Sequence, residues 1–348
     1  MSNLFLKKYT NGIYVKLGYD CNGCCVYCAQ FGHEKEQLIL NIDIIDYIAT
    51  QSAVNRKCDD DKYVIVFYGG EPLLYFDVMK IIVSGLYANS SFQRSNIKFI
   101  CITNGTLLND EIVDFFNMYN IHCRLSFDGP NVAARPVRID VQQKKLFMKI
   151  NDKDIYFVWS SLNNNFLKSK IYLEKVFPDV KSEMVMCRYV AKNEEYAKFV
   201  INSKYLIKQN FDDLLNFYSF HNIDHFFITL LSNKFLKNNN IEVIDISGNR
   251  HHSCDYISYC GDIYSPRKTK INYKAKSNNE ECLRCSYNNI CNGSRRSNII
   301  SGNIFECRIL CYINYLYDKH KETLFNYLVR DGYIIKNYDG FKCIKKDF

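Results

Sequence analysis

The chain has 348 residues, 47% of them hydrophobic, which is enough for a well-buried core in one large domain or two domains. Its formal net charge of +8 comes without any long block of like charges, so the charge pattern does not indicate a nucleic acid partner. The sequence contains neither an apolar run of membrane-helix length nor a signal peptide at its start. We therefore expect a cytoplasmic protein with no membrane partner, whose 16 cysteines stay reduced and are available to metals.

Short β-rich runs alternate with longer helical patterns along the first part of the chain, which predicts a parallel α/β architecture. Six strands are predicted, at Ile13–Leu17, Tyr63–Phe67, Ile97–Ile102, His122–Ser126, Ile155–Ser160 and Glu183–Cys187. Four helices are predicted between them, at Asp43–Ala53, Phe76–Ala88, Asp110–Met118 and Phe166–Phe177. In parallel barrels the chemistry lies at the carboxyl ends of the strands, so we expect the site in the loops that follow them.

Changes in composition divide the chain into three predicted regions. Residues 1–190 form the α/β core, and residues 191–245 form a helical, aromatic-rich bridging segment. Residues 246–348 form a second module, because cysteines cluster there in a background rich in Gly, Asn and Ser.

The first predicted strand is followed by a loop in which Cys21, Cys25 and Cys28 have C-x3-C-x2-C spacing. Three thiolates so close together can bind three irons of a [4Fe-4S] cluster and leave the fourth iron open to a small molecule. The alternative is a structural zinc site, for which His33 is the obvious fourth ligand. Cys24 does not fit the spacing and is interpreted as a bystander.

The three-cysteine loop resembles the signature of the radical SAM superfamily. The resemblance implies that the open iron chelates S-adenosylmethionine, whose reductive cleavage gives a 5'-deoxyadenosyl radical that abstracts a hydrogen atom from substrate. It implies a partial (β/α)6 TIM-like barrel, an external electron donor of the flavodoxin or ferredoxin type, and a place for Tyr27 beside the adenine.

Motifs after the later strands resemble further segments of the same family. Gly69, Gly70, Glu71 and Pro72 resemble the motif that contacts the amino group of the cofactor, and the two glycines allow close backbone approach. The resemblance assigns polar residues at the strand ends to the cofactor cavity, namely Thr103, Asn104, Ser126 and Ser160. Asp128 and Arg135 are predicted catalytic residues on the substrate side, although Asp128-Gly129-Pro130 is also a good turn sequence by itself.

The C-terminal cysteines resemble a SPASM domain, the extension that carries auxiliary [4Fe-4S] clusters in peptide-modifying radical SAM enzymes. The resemblance gives one cluster to Cys282, Cys285, Cys291 and Cys307 and makes Cys254 and Cys260 half of a second. Cys311 is available as a third ligand of that second cluster, and His251 or His252 as a fourth. Two expected ligands are missing, since Arg295 and Pro266 stand where that pattern has cysteines. One or two auxiliary clusters are therefore expected, with a zinc site or a site without a second metal as alternatives.

Three functions follow from these patterns. The first is hydrogen abstraction from a peptide or protein substrate, leading to a thioether or carbon-carbon crosslink, an epimerised residue or an oxidised side chain. The second is formylglycine generation, as in anaerobic sulfatase-maturating enzymes, which the Cys254-x5-Cys260 spacing resembles. The third is a non-catalytic metal-binding scaffold, which would not cleave S-adenosylmethionine.

Overall fold

The structure is a computed structural model in which the strands and helices of the core follow the predicted order. It describes residues 11–28, 37–54, 63–92, 94, 97–130, 133–186, 209, 240–248, 250–251, 334–337 and 340–343. The first six strands are β1 (Asn11–Lys16), β2 (Tyr63–Tyr68), β3 (Ile97–Thr103), β4 (His122–Ser126), β5 (Lys153–Trp159) and β6 (Lys181–Met186). The helices are α1 (Asp43–Val54), α2 (Phe76–Ala88), α3 (Asp110–Met118), α4 (Val141–Lys149) and α5 (Phe166–Val176), with a short 3-10 helix at Pro72–Tyr75.

Strands β1 to β6 are parallel neighbours in chain order, as expected for a sheet built from successive β-α-β units. This arrangement confirms the predicted α/β fold class of a partial (β/α)6 TIM-like barrel. All six residues of β2 are buried, as in strands covered on both faces.

A seventh parallel strand, β7 (Asn240–Asp245), pairs with β1 on the side opposite β2. A short antiparallel strand, β8 (Arg250–His251), pairs with β7 and ends the sheet. The prediction of a helical segment over 191–245 is therefore wrong at its end, where pairing with β1 produces a strand. Within the predicted C-terminal module, β9 (Ile334–Asn337) and β10 (Gly340–Cys343) form a separate antiparallel pair.

Helix α4 was not predicted, although its start carries a local signal. Asp140 and Gln143 form a capping box, in which each side chain accepts a hydrogen bond from the other residue's backbone N–H. Only Leu146 and Phe147 of this helix are buried, so its apolar periodicity is weak.

The two faces of the sheet differ in chemistry. Alternate residues such as Ile13, Ile65 and Phe157 pack with the helices in the main apolar core. Some charged residues on the strands are also buried. Arg124 makes a bidentate ion pair with Asp154, in which Nη2 lies 2.7 Å from Oδ2 and Nε lies 3.0 Å from Oδ1.

Within the described residues, no helix has the length and apolar character needed to cross a membrane.

Cys101, Cys123, Cys187 and Trp159 lie within predicted strands, which predicts that they are buried core residues, and this is confirmed where the structure describes them. Trp159, Cys101 and Cys123 are buried, with at most 2% of their surface exposed. Cys187 lies outside the described residues.

Candidate functional site

The predicted motifs meet at one edge of the sheet, where parallel strands have their carboxyl ends. The cysteine loop follows β1, the Gly69–Gly70 turn follows β2, and Asn104 follows β3. Asp128 and Ser160 follow β4 and β5. The fold therefore brings residues from five loops to the same edge.

The three thiols of the cysteine loop differ in their exposure to solvent. Cys21 is exposed, whereas Cys25 and Cys28 are half-buried. A tight turn joins the latter two, because the Cys28 amide donates to the Cys25 carbonyl at 3.1 Å. The Gly23 amide donates to the Cys21 sulfur at 3.3 Å, which is a contact that favours a thiolate.

Burial alone would keep the Cys21 and Cys25 thiols protonated. It raises the pKa of the Cys25 thiol to about 11, and it also raises the pKa of Cys21. The positive charge of Arg135 opposes both shifts. A bound metal would lower the pKa of both thiols far more than Arg135 does, since a coordinating thiol is deprotonated.

The described residues contain no group of three His, Cys, Asp or Glu side chains placed to bind a single metal ion. A cubane cluster does not need such convergence, because each thiolate binds a different iron. The three thiols nevertheless belong to one short loop, and Cys21 and Cys28 both contribute to the raised pKa of Cys25.

The entry to the cysteine loop is held by Tyr75. Its hydroxyl donates to the Asp20 carboxylate at 3.0 Å and accepts from the Asp20 amide at 3.0 Å. A Cβ atom on Gly18 would overlap the Tyr75 ring, so only glycine fits beneath it. Neither Tyr75 nor Asp20 was predicted, because their contact joins two loops that are distant in sequence.

The two glycines of the turn after β2 pack directly on this entry segment. The Gly70 amide donates to the Gly18 carbonyl at 3.0 Å, and the Glu71 amide donates to the Asp20 carbonyl at 2.8 Å. Gly69 has a φ of +151° and its missing Cβ leaves room for the Gly18 carbonyl. The turn is thus fixed against the cysteine loop, and a cofactor amino group, being a donor, would need one of its carbonyls.

Glu71 links this turn to β3. Its carboxylate is buried and accepts hydrogen bonds from the Thr103 hydroxyl at 2.6 Å, the Asn104 amide at 2.7 Å and the Leu73 amide at 3.0 Å. Burial raises its pKa, while these donors oppose the shift. Pro72 occupies the first turn of the short helix, where its missing N–H costs nothing. The structure therefore gives Glu71 and Thr103 a scaffolding contact in addition to the predicted cofactor role.

Asn104 reaches across to the cysteine loop. Its amide group donates to the Asn22 side chain at 2.8 Å, and the Asn22 side chain donates to Thr106 at 2.8 Å. Thr106 closes the triangle by donating to Asn104 from its hydroxyl at 2.7 Å. This triangle fixes the position of the residue next to Cys21, and Asn22 and Thr106 were not predicted.

We expect Asn104→Ala to release Asn22 and loosen the loop around the cluster. Outer partners of metal ligands usually contribute substantially to metal affinity, so iron retention against a chelator should weaken about tenfold. The measurement is iron loss under anaerobic chelation, with Asn151→Ala as the control, at an exposed position just before the amino end of β5 and so away from the cysteine loop. Iron retention equal to that of the control would show that the triangle does not support the loop.

Tyr27, Asp128 and Arg135 form a second cluster of contacts below the cysteine loop. The Tyr27 hydroxyl donates to Asp128 Oδ2, and the Val158 amide donates to Oδ1 at 2.8 Å. The guanidinium carbon of Arg135 lies 5.7 Å from the centre of the Tyr27 ring. Asp128 therefore holds the cysteine loop to β5.

Ser160 and its neighbour Asn163 shape the loop after β5. The Ser160 hydroxyl is fully buried and accepts from the Asn163 amide at 3.2 Å. The Asn163 side chain donates to the Asp128 carbonyl at 3.1 Å. Ser126 is half-buried at the end of β4. Contacts of Ser126 and Ser160 with a cofactor remain predictions.

The predicted auxiliary-cluster ligands lie outside the described residues. They are Cys254, Cys260, Cys282, Cys285, Cys291, Cys307 and Cys311. His33 and His252 lie outside them as well, and His251 is described only as part of β8.

Comparison with known proteins decides the family of the barrel. Residues 15–145 match the model of the radical SAM superfamily. These residues belong to the radical SAM superfamily. The matched range contains the cysteine loop, the Gly69–Gly70 turn, Asn104, Asp128 and Arg135, and the family implies a [4Fe-4S] cluster and S-adenosylmethionine.

Two curated relatives resemble this radical SAM region. The radical SAM cyclopropyl synthase TigE of Paramaledivibacter caminithermalis is 28% identical over 128 residues, which cover 34% of this chain and 26% of that protein. The cysteine-type anaerobic sulfatase-maturating enzyme of Clostridium novyi is 25% identical over 134 residues, which cover 38% of this chain and 36% of that protein. The matches thus span only 26% and 36% of the lengths of these two relatives.

The solved structure of native anSMEcpe with bound AdoMet and Cp18Cys peptide has the same fold. Its TM-score is 0.64 at 16% identity, and the alignment covers 92% of this chain and 99% of that chain. At this identity the likeness establishes the architecture of the chain and not its reaction.

Proposed function

We propose that this protein is a radical SAM enzyme that abstracts a hydrogen atom from a peptide or protein substrate. The observation that carries the proposal is the placement of Cys21, Cys25 and Cys28 beside the Gly69–Gly70 turn, within a region that matches the superfamily. When bound, the cluster and S-adenosylmethionine supply a one-electron reductive cleavage that produces a hydrogen-abstracting radical.

The residues of this chain fit that pair of cofactors. Cys21, Cys25 and Cys28 supply three soft thiolate ligands, and no fourth protein ligand is required when one iron binds a small molecule. The turn at Gly69 and Gly70 packs against the backbone at the start of the cysteine loop, so its carbonyls would be available to a ligand of the cluster. The Arg135 charge lies close to the thiols and offsets part of the negative charge that they would carry.

The remaining residues of the site orient the loop. Tyr75 and Asn104 hold the two flanks of Cys21, and Asp128 holds Tyr27 at the far end. A loop fixed at three points keeps the reacting atoms in one geometry, which is how an enzyme lowers the entropic cost of a reaction.

A peptide or protein substrate is supported by the curated relatives and by the peptide present in the anSMEcpe structure. The C-terminal cysteines fit one auxiliary cluster at Cys282, Cys285, Cys291 and Cys307, with Cys254, Cys260 and Cys311 in a second. Such clusters would take up the substrate electron or bind a substrate thiolate, and an external flavodoxin or ferredoxin would supply the first electron. Formylglycine generation is the second candidate, favoured by the likeness to the sulfatase-maturating enzyme.

The test is anaerobic reconstitution followed by reaction with dithionite, S-adenosylmethionine and a short cysteine-containing peptide. We expect 5'-deoxyadenosine that carries deuterium from a labelled peptide, together with a modified peptide in the mass spectrum. A crosslink removes a pair of hydrogens, epimerisation in heavy water adds one deuterium, and formylglycine formation removes the thiol sulfur of a cysteine. A protein that binds iron but forms no 5'-deoxyadenosine would be a metal-binding scaffold, and the proposal would be wrong.

A further inference from the structure

Arg135 lies in the loop after β4 and places a largely buried positive charge next to the cysteine loop. Only 13% of its side chain is exposed. The preceding residue, Ala134, accepts a hydrogen bond from the Val26 amide at 3.1 Å, so the two loops are tied together at this point. The position of the guanidinium relative to the cluster loop is therefore fixed by the backbone and by its contact with Tyr27.

The charge of Arg135 is only partly compensated. Its nearest carboxylate is Asp128, but the Nε–Oδ1 distance is 3.5 Å, and Nε has no hydrogen-bond partner among the described residues. Both oxygens of Asp128 already accept hydrogen bonds, from Tyr27 and from the Val158 amide. A buried guanidinium with so loose a partner interacts strongly with other charges nearby.

The charges of the cluster would lie beside this pair, because Ala134 binds Val26 and Asp128 binds Tyr27, the two residues between Cys25 and Cys28. Each thiolate adds a negative charge, and reduction adds one more electron to the same site. A nearby positive charge stabilises the reduced state more than the oxidised state and raises the reduction potential, whereas a nearby negative charge lowers it. Arg135 and Asp128 should therefore act in opposite directions.

We propose that Arg135 and Asp128 set the reduction potential of the cluster at Cys21, Cys25 and Cys28, with Arg135 raising it and Asp128 lowering it. Both residues would act through their charges on electron transfer to the cluster. This role differs from the substrate contacts that were predicted from the sequence. The proposal rests on the proposed function, because it requires a cluster in this loop.

The experiment is a redox titration of the reconstituted full chain near pH 8, followed by the EPR signal of the reduced cluster. The signal of this cluster is recognised by its change when S-adenosylmethionine is added, since only the open iron binds it. The variants are Arg135→Gln, Arg135→Lys and Asp128→Asn, and the control is Lys149→Gln, which removes a charge from an exposed ion pair with Asp110.

At a fixed solution potential we expect the ratio of reduced to oxidised cluster to fall about tenfold in Arg135→Gln, which corresponds to 59 mV for a one-electron couple. Asp128→Asn should raise the ratio by a similar factor, while Arg135→Lys and the control should stay within about twofold of wild type. Shifts of the same sign in Arg135→Gln and Asp128→Asn, or no shift, would overturn the proposal, because two residues that merely support the loop would not act in opposite directions.

Two further outcomes are decisive. If Arg135→Gln fails to assemble a cluster, the Asp128→Asn variant still tests the proposal. An unchanged or lower reduction potential in Asp128→Asn refutes it. A wild-type protein with no iron in the loop would refute the proposed function itself, whereas a normal cluster with unshifted potentials refutes only the electrostatic role.

Discussion

Replacing Cys21, Cys25 and Cys28 together by Ala is expected to abolish cleavage of S-adenosylmethionine to 5'-deoxyadenosine under dithionite. Without three thiolates the cluster has no protein ligands in this loop, and no open iron remains to hold the cofactor. Chromatography of anaerobic reaction mixtures measures the loss directly. Cys24→Ala is the matched control, since Cys24 is an exposed thiol in the same loop and lies outside the C-x3-C-x2-C spacing.

The same triple variant reports on the C-terminal module. The iron content should fall by about four atoms per chain relative to wild type. Iron that remains belongs to auxiliary clusters, and about four atoms indicate one such cluster whereas about eight indicate two. Zinc in place of this residual iron would exclude an electron-transfer role for the module, because zinc has no redox chemistry. Unimpaired cleavage by the triple variant would falsify the assignment of the three cysteines.

Glu71→Ala should destabilise the turn after β2 strongly, lowering the free energy of unfolding by about 3 kcal/mol. The buried carboxylate accepts hydrogen bonds from Thr103, Asn104 and Leu73, and its removal leaves three buried donors without an acceptor. Urea unfolding followed by the fluorescence of Trp159 measures the loss, since Trp159 is the single tryptophan and lies in β5. The control is Glu111→Ala, whose side chain is 64% exposed, and a loss no larger than the control's would contradict the expectation.

The effect of Glu71 should also depend on pH in a defined direction. Burial raises its pKa in the folded state, so the folded protein binds the proton more tightly than the unfolded chain does. The stability that Glu71 contributes is therefore greatest below the ordinary glutamate pKa of about 4.3 and decreases as the pH rises through the raised value. The stability difference between wild type and Glu71→Ala should shrink over that pH range, and a difference that grows would contradict the raised pKa.

Most of the barrel could be predicted from sequence because its signals are local. Apolar β-rich runs place the ends of the first six strands within two residues of those observed, for example Ile155–Ser160 against Lys153–Trp159. Strand β7 could not be predicted in this way, since a six-residue strand becomes stable only by pairing with β1, which lies far away in the sequence. Tertiary contacts decide such short segments.

The candidate site shows the same division between local and distant signals. The spacing of Cys21, Cys25 and Cys28 is visible in the sequence, and so is the pair Gly69 and Gly70. The contacts that fix the loop are not visible, because Tyr75 approaches it only after the strands have assembled. Arg135 is predicted from the sequence, but on the substrate side and not beside Tyr27. Chemistry that depends on ligand spacing is therefore easier to predict than the electrostatics around it.

The pairing of β7 with β1 has a consequence for the order in which the chain folds. During synthesis β1 to β6 are complete long before Asn240–Asp245 is made, and until then one edge of β1 presents unpaired N–H and C=O groups. Contacts between segments so distant in sequence form slowly, so the growing chain passes through a stage with an open, apolar strand edge. A fragment that ends after β6 should self-associate through that edge, and expression of the barrel alone is expected to give aggregates.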